Sequence, residues 1–384
     1  MAGEQQPAHT SNRQTLRHIP ELDGVRGLAA VIVFFHHACF SMLHPEWQSG
    51  WPPLIVALSN IFHYGNTGVD LFFVLSGFLI TTILINEKRS PRYYQDFYWK
   101  RALRILPLYI LVLGIALVTL HQYGYVLLSL LFIVNFAAPL HVTSDGPFWT
   151  LAIEEQFYLL WPTVVRRLNI SQIRRWSLTL GFLSIFLRFA LALAGHHNYD
   201  LSPLRCDGLA FGAFLACHFV AAGNDLQARL NLNSSLWAIA AIGVVCIATS
   251  QLAVLQRLSP PLFQTGVVFV TGSIIGLCIA HTGSTILAPL RSRILTFFGL
   301  ISYAFYMMHM YLIMLYDHFL GPLRGGNLSG YWVRLAVTFL ATVAASLLSR
   351  YLVELPALRL RKHVLKHPNL HAEQANPPLP LARM

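Results

Sequence analysis

Residues 235–254 read SLWAIAAIGVVCIATSQLAV, a run of twenty positions without one Asp, Glu, Lys or Arg. Crossing a hydrocarbon core of about 30 Å takes roughly 20 mostly apolar helical residues, because a backbone surrounded by lipid must satisfy its amides within its own segment. The run has that length, and comparable ones recur at 27–44, 66–86, 105–121, 148–165, 176–195, 206–222, 262–281, 294–316 and 331–353. The pattern predicts an all-α fold, a polytopic transmembrane helix bundle of about ten spanning helices. Composition agrees, with 55% of the 384 residues hydrophobic and 11% charged, about half the charged share of a soluble domain. The formal net charge of +11 does not indicate nucleic acid, since Lys and Arg lie in short patches between apolar runs and not along one soluble face. Five cysteines, all in or beside apolar stretches and without metal-site or disulfide spacing, read as buried thiols. The first twenty residues are polar and lack an apolar stretch, so no cleavable leader is expected and insertion begins with the first span.

The basic patches set the expected sidedness, because short cytoplasmic loops are enriched in Lys and Arg. Arg13 and Arg17 precede the first span, Lys88 to Arg104 follow the second, and Arg166, Arg167, Arg174 and Arg175 follow the run that starts at Phe148. Arg291 and Arg293 precede the run around Phe297, and Arg359, Arg361, Lys362 and Lys366 lie beyond the last. All of these fall on one side only if 123–140, although apolar, is a re-entrant or surface segment and not a span. Both termini are then cytoplasmic. The expected organisation is a cytoplasmic segment 1–20, a membrane domain 21–355, and a basic then Pro-rich cytoplasmic tail 356–384.

An intramembrane charge costs about 3 kcal/mol by insertion scales and persists where something pairs or uses it, so the polar residues inside the runs are the functional candidates. Arg26 and His37 stand eleven residues apart in ELDGVRGLAAVIVFFHHA (21–38). That is almost three helical turns, which puts both on one face about 16 Å apart along the axis, with His36 rotated about 100° away. A snorkelling arginine and a histidine bonded to a neighbouring helix are the plain alternative. In FYWKRALRILPLY (97–109), Arg101 and Arg104 share a helix face at a spacing that lets two guanidinium forks grip phosphate oxygens, of a ligand or of lipid headgroups. PFWTLAIEEQFYLLWP (147–162) carries Glu154 and Glu155, of which at least one must face the bundle; an ion pair with Arg205 is the structural alternative. Asp70 in GVDLFFVLSGFLI (68–80), Arg205 and Asp207 in SPLRCDGLAFGA (202–213), and His309 in ISYAFYMMHMYL (301–312) complete a set that the topology gathers into one polar chamber.

These stretches, taken in order from position 21 to about 355, resemble the membrane acyltransferase-3 family, whose members acylate O-antigen, exopolysaccharide, nodulation factors and macrolides. ELDGVRGLAAVIVFFHH resembles its opening motif, an Arg with ten residues before a His, and singles out His37 over His36. The resemblance implies a bacterial inner-membrane O-acyltransferase. It would take an acetyl or other short acyl group from cytoplasmic acyl-coenzyme A, with acetyl-coenzyme A foremost, and deliver it to a hydroxyl of a cell-surface glycan, glycolipid or related carbohydrate acceptor. It implies no metal, and the seventeen histidines show no metal-ligand spacing. On this basis Arg101 and Arg104, with Arg26, bind the donor's phosphates. His37 acts as general base or is itself acylated, Glu154 or Asp70 orients it, and Arg205 or His309 faces the oxyanion or the acceptor, with Glu155 and Asp207 among the acceptor-binding residues. Some members of the family carry a C-terminal extracytoplasmic esterase-like domain, which is not expected here. A secondary transporter or exporter is the rival class, but the chain lacks the repeat symmetry such folds show.

Overall fold

The computed structural model describes residues 18–43, 51–120, 123–142, 146–196, 200–223, 225–320 and 328–364. The expected segments 1–20 and 356–384 therefore lie largely outside the described residues. Helices dominate: α1 (Pro20–His36), α2 (Pro53–Ile61), α3 (Gly68–Asn86), α4 (Tyr93–Leu120), α5 (Tyr123–Leu130), α6 (Phe148–Arg167), α7 (Ile170–Leu193), α8 (Ser202–Ala222), α9 (Leu226–Leu230), α10 (Asn233–Ser250), α11 (Ser259–Ala280), α12 (Arg293–Phe319), α13 (Leu328–Ser349) and α14 (Leu355–Val364). No strand occurs among the described residues.

Nine helical segments among the described residues are long and apolar enough to cross a membrane. Helix α6 has the length, at 20 residues, but Glu154, Glu155 and Gln156 lower its apolarity. With α6 the described residues hold ten helical segments of spanning length, in the order the apolar runs predict. Their outward surface carries large side chains such as Phe182, Phe186, Leu159, Leu160, Val245 and Leu340, a distribution suited to lipid and not to water.

The doubtful apolar stretch resolves into a segment too short to span. Helix α5 has 8 residues, a rise of about 12 Å, and then Phe132 takes a left-handed φ of 53°. Its carbonyl accepts a hydrogen bond from Gln156 Nε2 at 2.7 Å, and its ring stacks on Tyr109 with centroids 5.0 Å apart. Gln156 also donates to Asn135 at 2.9 Å and accepts from Ser202. A neutral amide and hydroxyl network thus pins this segment to α6 and α8, satisfying backbone and side-chain groups that lipid could not.

Two glycine-mediated approaches set the geometry of the interior. A Cβ on Gly27 would stand 2.0 Å from the Leu295 carbonyl oxygen, and one on Gly299 would stand 2.1 Å from that of Asp23. Helices α1 and α12 therefore meet backbone to backbone, the close packing that small residues permit in membranes. Gly77 and Gly212 do the same for α3 and α8, each with a carbonyl 2.0 Å from its would-be Cβ. These contacts explain the small residues in the SGFLI and DGLAFGA stretches.

Candidate active site

Helix α1 begins at Pro20, several residues before the apolar run, so Arg26 lies well inside it and His37 comes close to its far end. His37 nevertheless meets His309, which lies just past the midpoint of α12 on the side away from the basic loops. At His37 the helix changes register. The Met42 amide donates to the His37 carbonyl at 3.0 Å, an i+5 bond, and His37–Ser41 form a π turn. Such turns occur often at functional sites, and nothing in the sequence signalled this one.

His37 Nδ1 lies 2.9 Å from the Val33 carbonyl and 3.2 Å from Nε2 of His309 on α12. His309 Nδ1 lies 2.6 Å from the Tyr306 carbonyl. A carbonyl only accepts, so His309 Nδ1 carries its proton and His309 Nε2 presents a lone pair. His37 Nδ1 then donates, which leaves His37 Nε2 with the free lone pair a base or nucleophile needs. His309 is 1% exposed, fixed by burial as well as by bonding. His36 turns the other way, its Nδ1 2.9 Å from the Phe62 carbonyl, and fastens α1 to the turn at Phe62–Thr67.

Toward the basic end, Arg26, Arg101 and Arg104 lie within electrostatic range of one another, together with Glu154 and Tyr158. Arg101 stacks over the Tyr158 ring at 5.0 Å, and none of the three arginines makes an ion pair among the described residues. Arg101 and Arg104 sit on the continuous helix α4, which starts at Tyr93 and so carries them inside the bundle. Glu154 accepts from Ser76 Oγ at 2.7 Å and from the Tyr158 hydroxyl at 3.1 Å. Glu155 lies near Arg101, with a buried oxygen that has no protein partner.

On the other side of the interior, Asp70 forms an ion pair with Arg205 at 3.2 Å and accepts from Gln264 at 2.7 Å. The Arg205 guanidinium stands 5.5 Å from the ring centres of both Phe73 and Trp149. Asp207 pairs with Arg188 at 2.5 Å, and Arg188 also donates to the Leu204 carbonyl and to Thr265. Arg205 Nε and Asp207 Oδ1 keep unused hydrogen-bonding capacity. Tyr306 joins the two sides: its hydroxyl lies 3.0 Å from Thr150, its ring 5.6 Å from that of His309, and it is within electrostatic range of both Glu154 and Arg205.

The ten candidate residues thus fall into two neighbouring groups around the histidine pair. Glu154 and Asp70 have other partners, and the ring that meets His37 Nδ1 is His309. Arg188 and Gln264 escaped the sequence reading, although an arginine in the apolar run SIFLRFALAL (184–193) is itself a signal.

A sequence model described as an acyltransferase domain, acyltransferase-3, matches residues 19–351. The chain belongs to the acyltransferase-3 family. Among curated relatives, a peptidoglycan O-acetyltransferase of Listeria monocytogenes is 28% identical over 338 residues, 79% of this chain and 51% of the relative. A putative peptidoglycan O-acetyltransferase of Bacillus subtilis is 28% identical over 340 residues, 78% of this chain and 49% of the relative. A putative O-acetyltransferase of Staphylococcus aureus is 27% identical over 229 residues, 52% of this chain and 35% of the relative. The chain spans about half the length of the first two. No solved structure matches it. The acyltransferase-3 match covers all ten candidate residues, from Arg26 to His309, along with Arg188 and Gln264.

Proposed function

We propose that this protein is an O-acyltransferase of the bacterial cytoplasmic membrane that takes an acetyl or other short acyl group from acyl-coenzyme A. The acceptor is a hydroxyl of a glycan or glycolipid. The observation that carries the proposal is the His37–His309 pair, whose hydrogen bonds leave His37 Nε2 unprotonated inside the bundle. The family match and the O-acetyltransferase relatives agree with the reaction class.

The donor's phosphates meet Arg26, Arg101 and Arg104, three mutually repelling cations that an anion would stabilise. Its thioester then points toward His37. In the general-base route, Nε2 takes the acceptor's proton as the oxygen attacks the thioester carbonyl. The C–O bond forms, the C–S bond breaks, and the proton passes to the departing thiolate. In the covalent route, Nε2 attacks the thioester first, the N–C bond forming as the C–S bond breaks and the thiolate leaves. The hydroxyl oxygen then attacks the acylated ring, the N–C bond breaks, and the hydroxyl's proton ends on the thiolate. In both, the positive charge that develops on His37 is shared through Nδ1–H with His309. The acceptor is held by Arg205, Asp207 and Glu155, whose spare polar atoms match hydroxyl groups that both donate and accept.

The test is transfer or hydrolysis of label from acetyl-coenzyme A by the purified protein in detergent. Donor-dependent turnover that vanishes in His37→Ala supports the proposal, and retained label without acceptor marks the covalent route. A wild-type protein that neither hydrolyses nor transfers the label overturns it.

A further inference from the structure

Helix α13 carries an arginine, Arg334, that is 1% exposed in the middle of apolar surroundings. Its Nε and one terminal nitrogen grip both oxygens of Asp317 near the end of α12, at 2.6 and 2.7 Å. It also reaches helix α1, donating through one terminal nitrogen to the Ala38 carbonyl and through the other to the Met42 carbonyl at 3.0 Å.

The Ala38 carbonyl is where the π turn leaves the backbone short of donors. In an α-helix the Met42 amide would bond to Ala38; here it bonds to His37, and the Leu43 amide bonds to Phe40 at 3.2 Å. The register shift therefore strips Ala38 of both its α and its π partner, and an unpaired carbonyl is costly inside a membrane. Arg334 fills the vacancy. The same side chain, through Asp317, ties the π turn to the helix that carries His309. We infer that Arg334, held by Asp317, is a positioning residue that maintains the π turn and thereby the alignment of His37 Nδ1 on His309 Nε2. It does not touch the reacting atoms. The inference rests on the proposed role of His37 for its kinetic consequence, but not for its structural one.

Two variants separate this role from that of an ordinary buried ion pair. Arg334→Met removes the donors to Ala38 and Met42. Asp317→Asn leaves them in place, and its amide oxygen still accepts from the guanidinium, but it leaves a buried cation uncompensated. If the pair were merely structural, Asp317→Asn would be at least as damaging by every measure. If Arg334 maintains the π turn, the effects cross over: Arg334→Met lowers kcat ~30-fold with the donor KM within about threefold, whereas Asp317→Asn lowers kcat less than ~5-fold and the melting temperature more. Arg291→Met, which leaves the buried Glu21 without its partly exposed partner at the basic end of the bundle, is the control for stability loss alone.

A readout independent of turnover is ¹⁵N NMR of the imidazoles, with His37 assigned by difference against His37→Ala. Wild type and Asp317→Asn are expected to show His37 protonated at Nδ1, and Arg334→Met to show a mixture of tautomers. Unchanged His37 signals in Arg334→Met, or equal kcat losses in the two variants, overturn the inference. Should Arg334→Met fail to fold, Arg334→Lys keeps the charge for Asp317 but cannot span both carbonyls. Wild-type tautomer and kcat in Arg334→Lys overturn the inference as well. An inert wild type with the expected NMR pattern removes the acyl-transfer proposal and leaves the positioning role standing.

Discussion

His36 and His37 are adjacent in sequence, share one composition and nearly one depth, and have opposite surroundings. His36 is bonded to the Phe62 carbonyl, while His37 faces His309. A general loss of helix stability would affect substitutions of both alike, so their difference is informative. His37→Ala is expected to abolish transfer while leaving donor binding intact, because Arg26 lies about 16 Å away along the helix and the other two arginines that meet the phosphates are on α4. His36→Ala is expected to retain substantial activity in the same label-transfer assay. Transfer that survives in His37→Ala and disappears in His36→Ala would refute the assignment. Arg101→Ala or Arg104→Ala removes a charge-assisted contact of roughly 1.5–3 kcal/mol, so donor affinity should weaken about ten- to a hundredfold with folding largely spared. Unchanged acyl-coenzyme A binding in Arg104→Ala would return this pair to lipid headgroups. The Arg26–His37 spacing was legible in the sequence because a helix has a fixed pitch. The partner of His37 was not: one pitch says which face a side chain occupies and nothing about which of several distant histidines or carboxylates meets it there.

At the scale of elements, α1 and α12 hold the two histidines together through contacts in which Gly27 and Gly299 let the backbones touch. A side chain at either position must push the helices apart near Leu295 or Asp23, since backbone and not a flexible side-chain tip stands in the way. Gly27→Val is therefore expected to insert normally but to lower kcat about a hundredfold, the usual consequence of displacing a reacting group by around 1 Å. Near wild-type kcat in the folded variant would show that the α1–α12 contact does not set the His37–His309 geometry. The spans themselves were readable from apolar run lengths, and each run falls on a helix, although α1 and α4 begin well before the apolar runs 27–44 and 105–121 do. Two kinds of feature were not. Helix ends such as the start of α4 at Tyr93 lie in polar sequence that hydropathy cannot mark. The π turn at His37–Ser41 depends on Arg334 in a helix almost three hundred residues away, a tertiary cause with no local signature.

For the whole molecule, alternation of ten spans gathers Lys88, Arg92, Arg166, Arg174, Arg229 and Arg291 at one end of the bundle. Contacts there bear this out, with Lys88 donating to the Leu168 carbonyl, Arg166 over the Tyr93 ring and Arg291 on Glu21. The arginine trio lies nearer that end than the histidine pair does, an order that the proposed function requires, with its donor entering from one side and its acceptor from the other. The enrichment of Lys and Arg in short cytoplasmic loops predicts that the basic end is cytoplasmic. It further requires that the segment after α4 return without crossing, because an additional span there would send every later basic patch to the opposite face. Single cysteines in a background without the five native thiols test both points in intact cells. Cysteine at Ile55, in the short helix α2 between the first two spans, should react with an impermeant maleimide from outside. Cysteines at Ser90, between α3 and α4, and at Ile170, between α6 and α7, should react only after the membrane is permeabilised. Position 170 is the decisive one, since it lies beyond the re-entrant segment. Outside labelling there, with Ser90 still protected, would mean that 123–140 crosses the membrane after all. It would also place Arg166 and Arg174 on the outer face, against the charge rule that orients the rest of the chain.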